Sequence, residues 1–255
     1  MIITLLGTGT SHGIPIANCD CSVCTSEIEE NKRYRCSVWL QHNGTNLIID
    51  TSPEFRLQTV RSGIKDIDAV LVTHAHADHL HGIDDLRPFS WKKKIPIWAQ
   101  QDVCDEIEAR FPYIFTPPVQ EGGGTPNISL KTIDTSREFQ AGNITVRPIP
   151  IFHGKIRILG YRFGKFAYLT DCSAVSEESA KLLMGLDTLI LGALRNEPHE
   201  THFSIPEALE FIKKISPIRA YLTHLSHDVD HFQLKAALPE GIEPAWDGLQ
   251  INIPE

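Results

Sequence analysis

His74-Ala75-His76-Ala77-Asp78-His79 follows Thr73 at the end of the apolar run 69–72. No other stretch restricts the fold as much. Three imidazoles and a carboxylate within six residues suit a divalent cation better than a hydrophobic core. A strand ending at Val72 delivers all four side chains to one loop at the rim of a sheet. Four donors in one loop exceed what a single open catalytic metal takes when other segments also contribute. The spacing therefore predicts two metals side by side.

With 255 residues, 42% apolar and 22% charged, the chain can bury a substantial core. The expectation is one domain spanning 1–255. A net charge of −8 argues against stable nucleic-acid or anionic-membrane binding. It leaves room for a phosphorylated substrate, because bound dications would dominate the local field. The opening Met1-Ile2-Ile3-Thr4-Leu5-Leu6-Gly7 has no basic segment, and its apolar run stops at Gly7. No stretch approaches the roughly 18 apolar residues of a membrane span. The expected location is cytoplasmic, and a homodimer is the default assembly.

Apolar, β-branched runs predict strands at 2–6, 37–41, 46–49, 69–72, 128–133, 144–149, 157–163, 166–169, 188–191, 220–222 and 249–253. Helical patterns cover 54–62, 83–89, 101–110, 177–184, 206–215 and 231–238, with Ser204, Pro206 and Glu207 marking a helix start. Asn43-Gly44 and Gly164 read as hairpin turns. A block of strands, then strands alternating with helices, then a repeat of that order, predicts two packed sheets with helices outside. The Pro- and Gly-rich segment 111–127 reads as a candidate lid loop.

Further polar residues stand just past strand-like runs, where sheet folds place site residues: Asp50, His153, Asp171 and His224. Cys19, Cys21 and Cys24, a loop at 19–24, have the close spacing of a zinc loop that needs one more ligand. Cys36, Cys104 and Cys172 read as packing residues.

The order Asp50, His74-x-His76-x-Asp78-His79, His153, Asp171, His224 resembles the metallo-β-lactamase superfamily. The resemblance implies an α+β fold, a four-layer αββα sandwich with a dinuclear site at one edge. It assigns His74, His76 and His153 to one metal and Asp78, His79 and His224 to the other. Asp171 bridges them, and Asp50 orients a ligand loop. β-Lactamases proper carry cysteine where Asp171 falls, and flavodiiron proteins carry glutamate where His76 stands, so the pattern here is hydrolytic.

Gly7-Thr8-Gly9, the Cys19/Cys21/Cys24 loop, Thr201-His202 and Leu222-Thr-His224-Leu-Ser-His227 resemble the phosphoribosyl 1,2-cyclic phosphodiesterase (PhnP-type) group. That likeness implies a structural zinc on Cys19, Cys21, Cys24 and His227, with Cys36 as the alternative fourth ligand. It also implies that His202 holds a phosphate oxygen or protonates the leaving oxygen. His81, Arg87, Arg195 and Arg35 are candidate substrate or phosphate contacts. The expected cofactors are two catalytic zinc or manganese ions and one structural zinc. The expected activity is hydrolysis of a small cyclic phosphate or nucleotide phosphodiester, a hydroxide bridging the metals attacking phosphorus with His202 and Asp78 in catalytic roles. The alternatives are lactone or thioester hydrolysis on the same site, or a PqqB-like cofactor-biosynthesis protein.

Overall fold

The computed structural model describes residues 1–116 and 124–254. Its strands follow the Ile-, Val- and Leu-rich runs. The first six are β1 (Ile2–Gly7), β2 (Ser37–His42), β3 (Thr45–Ile49), β4 (Ala69–Leu71), β5 (Ile95–Ala99) and β6 (Ile128–Thr132). There follow β7 (Phe139–Ala141), β8 (Ile144–His153), β9 (Ile156–Phe163), β10 (Phe166–Leu169), β11 (Thr188–Gly192), β12 (Arg219–Thr223), β13 (Ile242–Pro244) and β14 (Gln250–Asn252). They make two seven-stranded sheets, ordered β14-β1-β2-β3-β4-β5-β6 and β13-β12-β11-β10-β9-β8-β7. In each, an antiparallel half joins a parallel half, β3 to β6 and β10 to β13.

The two-residue period of the strands sets the layers. Leu47 and Ile49 point inward and pack with Val146, Tyr161 and Tyr168 of the second sheet. Ile48, between them, points outward to Phe55, Leu80 and Ile107. On the second sheet Tyr168 points inward, whereas Ala167 and Leu169 face Leu183, Phe211 and Ile212. The outer layers are α1 (Phe55–Ser62), α2 (Ala77–Leu80), α3 (Gln101–Arg110) and α4 (Pro112–Phe115) on one side, and α5 (Glu177–Lys181), α6 (Ile205–Ile215) and α7 (His231–Ala237) on the other. This is the four-layer αββα sandwich. The Asn43-Gly44 turn has positive φ at both residues, as the two-residue hairpin requires. Ser204 and Glu207 close a reciprocal capping box on α6.

Differences from the sequence reading have local causes. β5 was masked by Pro96, yet it lies between β4 and β6. The helix expected over 83–89 is a 3-10 helix, Ile83–Ser90, carrying Pro88. The segment expected as a lid contains α4, and its residues 117–123 lie outside the described ones. No helix is long and apolar enough to cross a membrane among the described residues.

The glycines of Gly7-Thr8-Gly9 serve packing. A Cβ on Gly7 would collide with the Arg35 carbonyl oxygen, and one on Gly9 would come to 2.9 Å from the Arg33 Cβ. That close approach lets the Thr8 carbonyl accept from the Leu225 N–H (3.1 Å) and the Leu225 carbonyl accept from the Thr10 N–H (3.1 Å), pinning the chain just beyond His224.

Candidate metal centre

The chemistry collects at strand ends along one edge, where ligand sites of parallel sheets are found. Asp50 follows β3, His74 follows β4, His153 ends β8, Asp171 follows β10 and His224 follows β12. Asp50, Asp171 and His224 have φ of 62°, 53° and 59°. Left-handed backbone at non-glycine residues costs about 1 kcal/mol or more each and clusters at functional sites. Here it turns the side chains out of their strand paths onto one point.

Two groups of ligand atoms lie side by side, each within 4.8 Å: His74, His76 and His153, and Asp78, His79, Asp171 and His224. All are buried except His76. Asp171 joins them. Its Oδ1 is 3.2 Å from His79 Nε2, and its Oδ2 is 3.2 Å from His224 Nε2 and 3.9 Å from His74 Nε2. Asp78 Oδ2 is 3.1 Å from His79 Nε2 and 3.8 Å from His224 Nε2.

A surrounding layer of hydrogen bonds aims these rings. His79 Nδ1 donates to Asp50 Oδ2 at 2.7 Å, so its Nε2 faces the cluster and would be the ligand atom once its proton is displaced. Asp50 is held by the N–H and hydroxyl of Thr73, both at 2.8 Å. His153 Nδ1 donates to the Thr201 carbonyl at 2.7 Å, and Thr170 Oγ1 donates to Asp171 at 2.6 Å. The sequence reading gives Thr73, Thr170 and Thr201 no role of their own. Thr73 and Thr170 precede ligand positions, and Thr201 stands only within the Thr201-His202 motif.

The residues fit a divalent cation. His74 Nε2, His79 Nε2 and both ring nitrogens of His224 are buried and make no well-aligned hydrogen bond, although Asp171 and Asp78 oxygens stand 3.1–3.9 Å from the Nε2 atoms. Buried polar atoms are rarely left so, and nitrogen donors beside carboxylates match zinc or manganese.

Protein charges alone set a strong pattern. Burial opposes charge on His224, but Asp171 and then Asp78 outweigh it and raise its pKa to about 10. Burial likewise opposes charge on His79, yet Asp171, Asp78 and Asp50 hold it well above the ordinary value. Burial and the neighbouring His79 push His74 well below. A cation entering at pH 7 must therefore displace protons from both His79 and His224. Affinity is expected to rise about tenfold per pH unit for each proton displaced, from pH 6 upward, flattening near the raised pKa. Calorimetric titration at pH 6, 7 and 8 checks this, and a flat affinity would refute it.

His202 stands between His153 and His224, ring centroids 4.6 and 4.8 Å away. Burial and the nearby His224 charge lower its pKa to about 3. Among protein groups alone this favours the neutral imidazole with one N–H to donate. The other substrate candidates divide. Arg35 pairs with Glu54 and Arg87 with Asp84. His81 is exposed, edge-on to Phe111 at 6.0 Å and outside both ligand groups. Arg195 lines a cavity with His202.

A second cluster forms where the sequence placed it. Cys19, Cys21 and Cys24 Sγ lie 3.3, 3.5 and 3.7 Å from His227 Nδ1. A tetrahedron with zinc's usual bond lengths has S···N edges of about 3.6 Å. Cys36 is elsewhere, with its thiol on the Gly9 carbonyl.

A model for the β-lactamase superfamily domain matches residues 45–225. An octanoyltransferase of Porphyromonas gingivalis (strain ATCC BAA-308 / W83) is 38% identical over 254 residues, 98% of this chain and 51% of that protein. The chain thus spans about half of that relative's length. Among solved structures, a diphosphatase from the PhnP family superposes with a TM-score of 0.93 at 38% identity, over 99% of this chain and 98% of that one. Zinc-bound PqqB from Methylobacterium extorquens superposes with a TM-score of 0.84 at 18% identity, over 99% and 100%, which is a likeness of fold.

Proposed function

The chain belongs to the metallo-β-lactamase superfamily, and from that premise we propose that it is a divalent-metal-dependent hydrolase of a small phosphorylated substrate, cutting a phosphodiester or diphosphate bond. The observation that carries this reading is the set of buried ring nitrogens on His74, His79 and His224, gathered beside Asp78 and Asp171. His74, His76 and His153 would hold one cation, Asp78, His79 and His224 a second, with Asp171 shared. When bound, such cations activate water near neutral pH and offset charge on phosphate oxygens.

The chain's own residues supply the rest. Asp50 and the Thr201 carbonyl fix the tautomers of His79 and His153. Burial of the centre keeps bulk water from screening it. His202, on the open side, donates its N–H to a phosphate oxygen or to the departing oxygen. Phosphorus is favoured over carbon by the full-length likeness to the PhnP-family diphosphatase. Acyl thioester hydrolysis is the second reading, favoured by the octanoyltransferase relative, although that name can belong to the half this chain does not span.

The test is turnover of bis(p-nitrophenyl) phosphate, diphosphate esters and an octanoyl thioester with added manganese or zinc, with metal measured on the same sample. About three equivalents are expected, two catalytic and one structural. A fully loaded protein inert toward every phosphate ester would overturn the proposal. His202→Ala should lower kcat at least about tenfold at unchanged metal content. A wild-type kcat would remove His202 from the reaction.

A further inference from the structure

His79 and His153 each have the ring nitrogen turned away from the cluster held by an acceptor, Asp50 for one and the Thr201 carbonyl for the other. His224 lacks such a brace. Its Nδ1 is buried without a hydrogen-bond partner. What aims this ring is therefore the backbone that carries it, a left-handed turn of φ 59° just past β12. The next residue, Leu225, is bonded on both sides to residues 8–10. Its N–H donates to the Thr8 carbonyl and its own carbonyl accepts from the Thr10 N–H, both at 3.1 Å. The direction of His224 thus depends on where Thr8 stands.

Thr8 stands on a buried ionic node. Its hydroxyl donates to Asp247 Oδ1 at 2.8 Å and accepts from Arg33 Nη1 at 2.8 Å. Asp247 Oδ2 accepts from the Tyr34 N–H at 2.6 Å, and Arg33 Nη1 also donates to the Ala245 carbonyl. Arg33 is 1% exposed, yet its Nε has no hydrogen-bond partner, and its charge meets that of Asp247 through the Thr8 hydroxyl. A buried pair of this kind is a poor source of stability, since apolar side chains of like volume often pack as well or better. What buried ionic groups supply instead is a single register. The members of this node come from segments far apart in the chain: Thr8, Arg33, Asp247 and His231 of α7, whose Nδ1 is 3.4 Å from Arg33 Nη2. The Arg33 backbone also pairs with Ile14 in both directions at 2.8 Å, and the Ile16 N–H donates to Cys24 Sγ at 3.3 Å. The node therefore joins the segment that presents His224 and His227 to the loop that carries the cysteines.

We propose that Arg33, acting through Thr8 and Asp247, is a positioning residue for the metal centre: it sets the register between residues 8 and 225, and with it the aim of His224 toward Asp171. The inference rests on the metal centre of the hydrolase reading above and on none of its substrate.

The full chain loaded with cobalt(II) and titrated with EDTA tests it. Thiolate-to-cobalt charge transfer reports the cysteine cluster, and the d–d bands that change independently of it report the catalytic edge. Thr8→Val keeps the shape of the side chain and removes the hydroxyl, and Arg33→Met removes the guanidinium. Each should lower the EDTA concentration that strips half of the catalytic-edge cobalt by about tenfold, the worth of one hydrogen bond to a charged group, and should alter the d–d bands of what stays bound. Thr8→Ser retains the hydroxyl and should stay within about threefold of wild type. Ile3→Val, a core change in β1 outside the node, is the control for lost stability and should strip as wild type does. Wild-type stripping in Thr8→Val and Arg33→Met overturns the proposal, and so does an equally deep loss in Thr8→Ser or Ile3→Val. If Thr8→Val and Arg33→Met do not fold, Asp247→Asn decides, since it keeps the volume and removes the anion. A loss of about threefold or more upholds the node, and no loss overturns it. Where an ester turns over, kcat should fall at unchanged KM. A protein inert toward every ester sinks the hydrolase reading and leaves this result standing, because stripping needs no turnover.

Discussion

Asp171→Ala is expected to lower kcat/KM for any hydrolysed ester by about a thousandfold or more and to remove most of the metal at the catalytic edge. One carboxylate faces imidazoles of both ligand groups: His79 and His224 at 3.2 Å on its two oxygens, and His74 at 3.9 Å. Its two oxygens are shared between the groups, so its loss removes a carboxylate from both. Metal-supplied charge stabilisation is worth several kcal/mol, and about 4 kcal/mol corresponds to a thousandfold in rate. Asp171→Asn separates charge from shape. It preserves the volume of the side chain and the left-handed turn that asparagine tolerates, but it removes the anion that offsets the buried imidazoles. A loss in Asn as deep as in Ala would show that charge is what counts. Metal content by mass spectrometry, measured beside turnover, checks the result. An Asp171→Ala protein with full metal and more than about a tenth of wild-type activity would contradict the shared-ligand role.

The His74–His79 cluster was legible because its donors are neighbours in sequence, and the sheet-edge position followed from the apolar run before it. His153, Asp171 and His224 were legible only as a series, each beyond a strand-like run. What the sequence could not carry was the aim of each ring. That depends on a carbonyl at Thr201, 48 residues from His153, and on Asp50, 29 residues from His79. Such partners are set by strand register, not by local spacing. The arginines were opaque for a related reason. Arg35, Arg87 and Arg195 look alike in sequence, and only the folded chain reveals that Glu54 and Asp84 neutralise the first two. Gly7-Thr8-Gly9 carries part of the PhnP-type likeness, and the space a Cβ would need there is taken by Arg33, Arg35 and Gln58. Pro96 hides β5 because a proline inside a strand is uncommon, and the burial of Ile95, Ile97 and Ala99 on one face, with pairing to β4 and β6, overrides that preference.

Cys24→Ser is expected to release one metal equivalent and to lower the thermal transition by about 6–12 °C. Structural zinc in short peptides is worth roughly 10 kcal/mol or more. If a third of that survives in a chain with its own large core, the shift follows, since 1 kcal/mol moves Tm by about 2–4 °C at this size. The cluster is suited to a cation rather than to a thiol network. The Cys24 N–H bond lowers the Cys21 thiol to about 6, while burial raises Cys24 to about 11, so the protein alone stabilises one thiolate and resists the next. A cation is what would allow several thiolates at 3.3–3.7 Å from one imidazole. The effect should reach the catalytic edge, because His227 lies three residues beyond His224 on a segment also pinned at Leu225 by Thr8 and Thr10. Turnover is therefore expected to fall together with Tm, with proteolysis opening the 19–24 loop first. Cys36→Ser is the control: its thiol sits on the Gly9 carbonyl, apart from the cluster, so metal content should stay whole. Equal metal content in Cys24→Ser and wild type would show that the three thiols and His227 hold no ion.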